Sequence, residues 1–281
     1  TFSSRGLGDV YKRQDISYVC VGPNQFLITL NLYRDCTGVT TNNQETIDFS
    51  SPCGSMTATL PLVMSEEISQ LCPALLSSSA CNGGGLPGME HYQYQAVVTL
   101  PQCDSWFMSW SECCRNGTVN VSNSLADNLY VWATMNNATT NCNNSAVFTG
   151  RPIPYVCVNT PVTYNYDVVE PDGDSLVYTL VDAWVDFGTP VTYNGGYSSS
   201  QPIPGITLDP NTGQVNFTPT VIGFFIVVVR VQEYDANGVL VGQTMRDMQF
   251  VVQNCTNDVP VPDTTVAVSY THLRAHETRR Y

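Results

Sequence analysis

Three carboxylates lie on one short turn in the second half of the chain and could bind a cation. Glu170, Asp172 and Asp174 are separated only by Pro171 and Gly173, which favour a tight turn. Carboxylate oxygens are the ligands that Ca²⁺ prefers. The pattern differs from an EF-hand, because the glycine comes too early and a strand is predicted where the second helix would begin.

Two further acids, Glu233 and Asp235, could approach this turn from a neighbouring strand. The predicted calcium ligands are therefore Glu170, Asp172, Asp174, Glu233 and Asp235. The alternative is that Pro-Asp-Gly-Asp is ordinary turn chemistry, with its carboxylates left in water. The sequence leaves both interpretations open.

Aromatic and basic residues between Cys103 and Asn116 could bind an organic ligand. Trp106 and Trp110 fall at period two, so a strand would point both rings to one face, where they could stack on a sugar. Packing in a disulfide-stapled core is the interpretation that we favour, since cysteines lie on both sides. Arg115 could clamp a carboxylate ligand, although we favour a buried ion pair for this residue too.

Signatures of catalysis are few in this sequence. The chain has no GxSxG, HExxH or phosphate-loop motif. His91 is the only histidine between residues 15 and 267, which excludes a histidine-rich zinc site and weakens a Cys-His nucleophile. A glycosidase could still place two carboxylates without a local signature. We expect that the protein is not an enzyme.

The eleven cysteines show no CxxC spacing of the kind found in zinc sites, which indicates disulfides and an oxidising compartment. A cytosolic redox or metal protein is the less favoured alternative. Cys72 and Cys81 could close the Gly-rich loop at 65–90, and Cys157 and Cys255 could join the first and last strands of the second domain. Spacing does not fix the connectivity, and the odd count leaves one cysteine free or bonded outside this chain.

Both ends of the chain resemble a translated sequencing adapter. Residues 9–14 are encoded by the end sequence of a transposase-based library adapter, and residues 268–272 fit a frame of its reverse complement. We therefore expect 1–14 and 268–281 to be adapter-derived. These flanks carry six of the eleven Lys and Arg residues but only two of the 24 acidic residues.

The body between these flanks is strongly acidic. It keeps five arginines and no lysine, so its net charge is more negative than the −13 of the whole chain. Such a surface repels nucleic acid and anionic lipid, both of which are bound through Lys and Arg. We expect no nucleic-acid partner and no membrane insertion, because the prominent apolar run at 224–229 is far shorter than a membrane span.

Alternation of apolar and polar residues predicts β-strands through most of the chain, for example at 25–34 and 129–135. After residue 155, short strands separated by strong turns predict a β-sandwich. The expected fold is all-β, with two tandem disulfide-bearing antiparallel β-sandwich domains. The predicted units are a Cys-rich β domain at 15–150, a β-sandwich at 151–257 and a linker at 258–267.

Two motifs of the second predicted domain resemble known surface modules. DGDSLVY at 172–178 and LDPNTGQVNFTP at 208–219 are similar to cadherin-like and Ig-like modules of bacterial surface proteins, over about 155–255. The whole body resembles the N-terminal region of large secreted or cell-surface proteins of gliding, type IX-secreting bacteria. The residues that carry this second resemblance are Tyr33-Arg34-Asp35-Cys36, Cys113-Cys114-Arg115-Asn116, Glu233-Tyr234 and Arg246-Asp247.

These patterns and resemblances together imply an extracellular or cell-surface location. We expect a non-catalytic module for adhesion, spacing or ligand display, with calcium as its cofactor. Its expected partners are a cell-surface glycan or protein and further domains of the same chain. The main alternative is a carbohydrate-binding or glycan-processing protein that uses the Trp106 and Trp110 face.

Overall fold

The computed structural model describes residues 11–38, 40–140, 142–150 and 155–255. The predicted linker and the C-terminal adapter segment lie outside these ranges. The described residues form eighteen strands and two short 3-10 helices, Pro73–Ser78 and Ala80–Asn82. The strands are β1 (Tyr11–Gly22), β2 (Gln25–Asp35), β3 (Gln44–Ser51), β4 (Gly54–Glu67), β5 (Met89–Thr99), β6 (Trp106–Glu112), β7 (Leu129–Met135), β8 (Val147–Phe148), β9 (Tyr155–Cys157), β10 (Val162–Asn165), β11 (Val168–Val169), β12 (Ser175–Val181), β13 (Trp184–Asp186), β14 (Thr189–Pro190), β15 (Thr207–Leu208), β16 (Gln214–Phe217), β17 (Gly223–Tyr234) and β18 (Leu240–Gln253).

A closed sheet of eight strands forms most of the first half. Its order is β1-β2-β5-β4-β3-β6-β7, and β18 joins β7 back to β1. All pairings in this ring are antiparallel. Because side chains alternate along each strand, one set points inward and forms a core that includes Ile16, Leu30, Tyr94, Met108 and Val131.

Strand β18 connects the two halves of the structure. One of its edges pairs with β17 from Leu240 to Val252. The other edge pairs in turn with β7 at 242–244, with β1 at 246–248 and with β9 at 251–253. The pairings with β7 and β1 close the first sheet, whereas those with β17 and β9 continue into the second half.

The second half is a β-sandwich. The sheet β12-β17-β18-β9 packs against the three-stranded sheet β10-β16-β15. Aromatic rings fill the space between the sheets: Phe250 of β18 contacts Phe217 of β16 and Tyr164 of β10 edge-on, at centroid distances of 5.0 and 6.0 Å. This half of the chain agrees with the sequence prediction.

The β17–β18 hairpin is covered on both faces. Ile226 and Val228 belong to the core of the closed sheet, while Phe225, Val227 and Val229 belong to the core of the sandwich. Where a strand is covered by apolar cores on both faces, apolar side chains are favoured at consecutive positions, so the sequence there is a continuous apolar run. This explains the run at 224–229.

The all-β prediction is confirmed, but the first half is not a separate sandwich, because it forms a closed sheet that shares β18 with the second half. Strand pairing also crosses the predicted boundary after residue 150, since β8 pairs with β11. At the other end, β1 begins at Tyr11, so residues 11–14 of the predicted adapter segment lie in a strand, and Gln14 is fully buried.

Ten of the eleven cysteines form disulfides. Cys157 bonds to Cys255, as the sequence suggested. The predicted pair of Cys72 with Cys81 is wrong, because Cys81 bonds to Cys36 and Cys72 is an exposed free thiol. The other disulfides are Cys20–Cys142, Cys53–Cys103 and the adjacent pair Cys113–Cys114.

The path of the 65–90 loop explains why Cys81 has this partner. The second 3-10 helix brings Cys81 against Gly88, where an added Cβ would lie 2.5 Å from the Cys81 sulfur. The Gly88 carbonyl in turn accepts a hydrogen bond from the Cys36 amide at 3.1 Å. Cys81 is therefore held at the end of β2, beside Cys36.

A buried ion pair joins β1 to β18. The Arg246 guanidinium donates to Oδ2 of Asp15 from Nε at 2.9 Å and from Nη2 at 2.8 Å, and neither side chain is more than 1% exposed. Asn31 donates to the other Asp15 oxygen at 2.9 Å. The remaining donors of Arg246 reach the carbonyls of Gly150 and Phe148, so every charged group here has partners.

Thiol counting tests the cysteine assignment. Denatured, unreduced protein is expected to contain one reactive thiol per chain, and Cys72→Ser should contain none. Peptide mapping should recover Cys36 linked to Cys81. Recovery of a Cys72–Cys81 peptide instead would contradict this connectivity.

Asp15→Asn tests the buried ion pair. The substitution leaves the Arg246 charge buried without a counter-charge, so the free energy of unfolding in urea should fall by about 3–5 kcal/mol. The control is Glu90→Gln, which breaks the partly exposed pair of Glu90 with Arg34 in the same closed sheet. That loss should be smaller than the loss in Asp15→Asn, because the Glu90 side chain is 25% exposed and water screens this pair. Equal losses in the two variants would show that burial of the Asp15 pair does not matter.

Candidate functional site

The acidic turn brings its three carboxylates together. Ligand oxygens of Glu170, Asp172 and Asp174 all lie within 4.8 Å of one another. The two Glu170 oxygens accept hydrogen bonds from the backbone amides of Asp172 at 3.0 Å and Asp174 at 2.6 Å. Gly173 adopts φ +86°, a left-handed conformation that allows the chain to turn between the two aspartates. The turn is thus built by its own sequence.

Asn144 holds this turn against the first half of the chain. Its backbone amide and its side-chain amide donate to the two carboxylate oxygens of Asp172, each at 2.6 Å. Its side-chain oxygen accepts a hydrogen bond from the Cys20 amide of β1 at 2.9 Å. The acidic turn is therefore fixed at the junction between the closed sheet and the sandwich.

Glu233 lies buried next to the turn. It pairs with Leu176 in the β12–β17 ladder, just beyond Asp174, and its side chain has no exposed surface. Oε1 accepts a hydrogen bond from the Ala146 amide at 2.9 Å, whereas Oε2 has no partner among the described residues. Burial, together with the charges of Glu170 and Asp174, raises the pKa of Glu233 to about 8, although the Ala146 amide and the Asn143 side chain oppose the shift.

The unpaired oxygen of Glu233 lies close to Gly242, as the Tyr18 hydroxyl does. A Cβ added at Gly242 would come within 2.6 Å of both Glu233 Oε2 and the Tyr18 hydroxyl. Asn143 donates to that hydroxyl at 3.1 Å, and its own side-chain oxygen is buried without a partner. Burial raises the pKa of Tyr18 well above its usual value, and Glu233 adds to the effect. Two buried oxygens near Tyr18, Glu233 Oε2 and Asn143 Oδ1, thus form no hydrogen bond among the described residues.

Asp235 stands at the edge of this site. Its carboxylate accepts hydrogen bonds from the amides of Asn237 and Val239 in its own turn, at 2.9 and 2.8 Å, and these bonds lower its pKa. The pKa of Asp174 is raised by partial burial and by the charges of Glu170, Asp172 and Asp235. The structure therefore brings Glu170, Asp172 and Asp174 within ligand distance of one another, whereas Glu233 and Asp235 lie near this cluster without belonging to it.

Trp106 and Trp110 are core residues. Each is only 2% exposed, and their indole nitrogens donate to the Pro101 carbonyl at 2.8 Å and to Glu45 at 3.0 Å. The sugar-platform interpretation of this face is wrong, because both rings point into the closed sheet and have no free face.

Arg115 is a structural residue too. It is 1% exposed, lies 2.6 Å from Asp247 and donates to the carbonyls of Asn128 and Trp184. No ligand carboxylate can reach a guanidinium that is packed in this way, so the ligand-clamp interpretation is wrong. Arg115 and Asp247, both in stretches that carried the family resemblance, meet as a buried ion pair.

Sequence reasoning missed the residues at 142–146. Although this segment is largely polar in sequence, Asn143, Ser145 and Ala146 are fully buried. Tyr18 was also missed, since it looks like an ordinary core residue of a strand. The one sequence signal for an ordered segment here is the Asn-Asn-Ser run that follows Cys142.

A polar cavity of about 220 Å³ lies between His91 of β5 and the segment 147–150. The His91 ring stacks on Tyr33 at a centroid distance of 4.5 Å, and Nε2 lies 3.0 Å from Asn31 Oδ1. Because the Asn31 amide group donates to Asp15, its oxygen is the acceptor and His91 Nε2 carries the proton. Nδ1 lies 3.6 Å from Glu66.

No protein-family model matches the chain, and neither does any curated protein or solved structure. Among the residues that the structure describes, no helix is both long and apolar enough to cross a membrane.

His91 should contribute to the pH dependence of stability. Burial lowers its pKa below the usual 6.5, and Arg246 lowers it further, while Asp15 and Glu66 oppose the shift. A lowered histidine pKa means that the unfolded chain binds the proton more readily, so stability is lost as pH falls through about 6.5. Urea unfolding at pH 7.5 and 5.5 should show a larger loss for the unmodified chain than for His91→Gln.

The expected difference between the two losses is below about 1 kcal/mol, because His91 is partly solvated. Gln retains a donor for Asn31, so the comparison isolates the ionisation. Equal losses in the two proteins would contradict the lowered pKa.

Proposed function

We propose that the chain is a non-catalytic extracellular module of a large secreted or surface-attached bacterial protein, serving adhesion, spacing or ligand display. Five disulfides support an oxidising compartment. The shared β17–β18 hairpin supports a spacing role, because two cores that share a hairpin resist bending relative to each other. The cadherin-like and type IX secretion resemblances give the proposed context.

The acidic site is proposed to bind Ca²⁺. The observation that carries this proposal is the buried Glu233 oxygen, which has no hydrogen-bond partner among the described residues. Glu233 is also close enough to Glu170 and Asp174 for their charges to raise its pKa. With a pKa of about 8, Glu233 holds a proton at neutral pH, and a bound cation would replace that proton and reduce the repulsion among the neighbouring carboxylates. An oxygen-only ligand set suits Ca²⁺, and the buried Asn143 oxygen adds a neutral ligand to it.

Calcium at this position would brace the module. Asn143 and Asn144 belong to the segment that hydrogen-bonds to β1, Glu233 belongs to β17, and the acidic turn precedes β12. An ion that binds these groups together would link the closed sheet to the sandwich. The proposed role of calcium is thus rigidity.

Melting experiments test this function. After chelator treatment, millimolar CaCl₂ should raise the melting temperature by a few degrees. Extracellular modules bind calcium with a Kd of about 10⁻⁴–10⁻³ M, and calcium at about ten times the Kd would add about 1.4 kcal/mol. The double variant Asp172→Asn with Asp174→Asn should lose this rise, and Glu233→Gln should reduce it.

The matched control is Asp209→Asn. Asp209 is an exposed turn aspartate of the same sandwich that accepts a hydrogen bond from the Asn211 amide at 2.8 Å, and it does not belong to the acidic cluster. This variant should keep the full calcium response. If calcium does not change the melting temperature of the unmodified chain, the calcium proposal is wrong and the acidic turn has only a local structural role.

A further inference from the structure

A cluster of aromatic rings lies on the outer surface of the closed sheet. Alternation along β6 points Trp106 and Met108 inward and Phe107 outward. Trp132 of β7 lies beside Phe107 on this outer side, and Trp184 of β13 covers both. We call Phe107, Tyr130, Trp132, Trp184 and Phe187 the outer aromatic cluster.

The rings of this cluster form a stacked group. The Phe107 ring lies 5.6 Å from Trp132 and 6.4 Å from Trp184, at interplanar angles of 27° and 19°. Phe187, in the turn between β13 and β14, meets Phe107 edge-on at 5.0 Å. Its side chain is 64% exposed, the largest exposure among the described large apolar residues. With the partly exposed Phe107 and Trp184 it forms a contiguous apolar patch, and such patches mark binding surfaces when polar residues border them.

Polar groups border the rings. The pKa of Tyr130 is raised by burial and by the charges of Asp186 and Asp48, while Ser109 opposes the shift. Both carboxylates therefore lie near the cluster, and both residues are exposed. The buried indole nitrogen of Trp132 has no hydrogen-bond partner among the described residues. Tyr130 and Trp132 are buried, so the accessible apolar surface comes from Phe107, Trp184 and Phe187. Asp48 and Asp186 supply carboxylate acceptors beside it.

We propose that the outer aromatic cluster binds a neutral oligosaccharide. A pyranose ring has one face of C–H groups, which stacks on an aromatic ring, and hydroxyls at its edge, which carboxylates and hydroxyls can bind. The bordering acids and the acidic body repel anionic glycans. This proposal rests on the adhesion role proposed above and names its partner.

The site lies on the face opposite to the one predicted from sequence. Trp106 and Trp110 belong to the inward set of β6, while Phe107 belongs to the outward set of the same strand. Trp184 and Phe187 come from the second half of the chain and complete the cluster. Ring stacking therefore extends across both halves.

The test uses the full chain with calcium present and three neutral probes: cellohexaose, chitohexaose and mannohexaose. Polygalacturonate is the anionic probe. Binding is followed by tryptophan fluorescence and titration calorimetry. We expect at least one neutral probe to bind, with an affinity that falls at least about tenfold in Phe187→Ala and is retained in Phe187→Tyr. Leu125→Ala is the matched control, because Leu125 is 62% exposed and lies outside the cluster.

Several results would overturn the proposal. These are no binding of any neutral probe at millimolar concentration, equal binding by Phe187→Ala at an unchanged melting temperature, or equally tight binding of polygalacturonate. Self-association that Phe187→Ala abolishes would assign the cluster to a second copy of the chain and overturn the proposal as well.

Different results would contradict the proposed function and the oligosaccharide site. Release of reducing sugar from a bound probe would overturn the non-catalytic role and leave the oligosaccharide site in place. Absence of glycan binding together with a normal calcium response would overturn only the site.

Discussion

The structure depends on one hairpin that must bury both of its faces. β17 and β18 carry apolar side chains on one face into the closed sheet and on the other into the sandwich. Neither core is complete without them, so each half buries its apolar surface only when the other half is folded. The hairpin therefore makes a single cooperative unit out of a chain whose composition suggests two.

Two ion pairs fix the position of this hairpin. Arg246 and Asp247 are consecutive on β18, so their side chains point to opposite faces. Arg246 binds Asp15 on one face, and Asp247 binds Arg115 on the other. A shift of β18 by one residue would exchange these faces and leave four buried charges unpaired, which is far more costly than the loss of an apolar contact. The charges thus specify register as much as they add stability.

The segment at 142–146 links the two halves through polar groups. The Cys20–Cys142 disulfide anchors it to β1, and Ser145 exchanges hydrogen bonds with the Tyr18 backbone. Its neighbouring amides donate to acids of the second half, with Asn144 binding Asp172 and Ala146 binding Glu233. Because these acids are held by donors from the other half, the acidic site forms only in the complete fold. The outer aromatic cluster is assembled in the same way, from strands of both halves.

The sequence by itself determined the properties that depend on neighbouring residues. Period two predicted the strands, and the spacing of Glu170, Asp172 and Asp174 predicted that their carboxylates meet, since a short turn fixes both. Only the tertiary structure decided which strands pair and which faces are covered. Asp15 and Arg246 are 231 residues apart, and no local pattern encodes a contact at that separation. A run that is apolar at every position, such as 224–229, also has no periodicity from which its neighbouring strands could be predicted. The burial of Glu233, the partner of Cys81 and the exposure of Phe187 all follow from that long-range path of the chain.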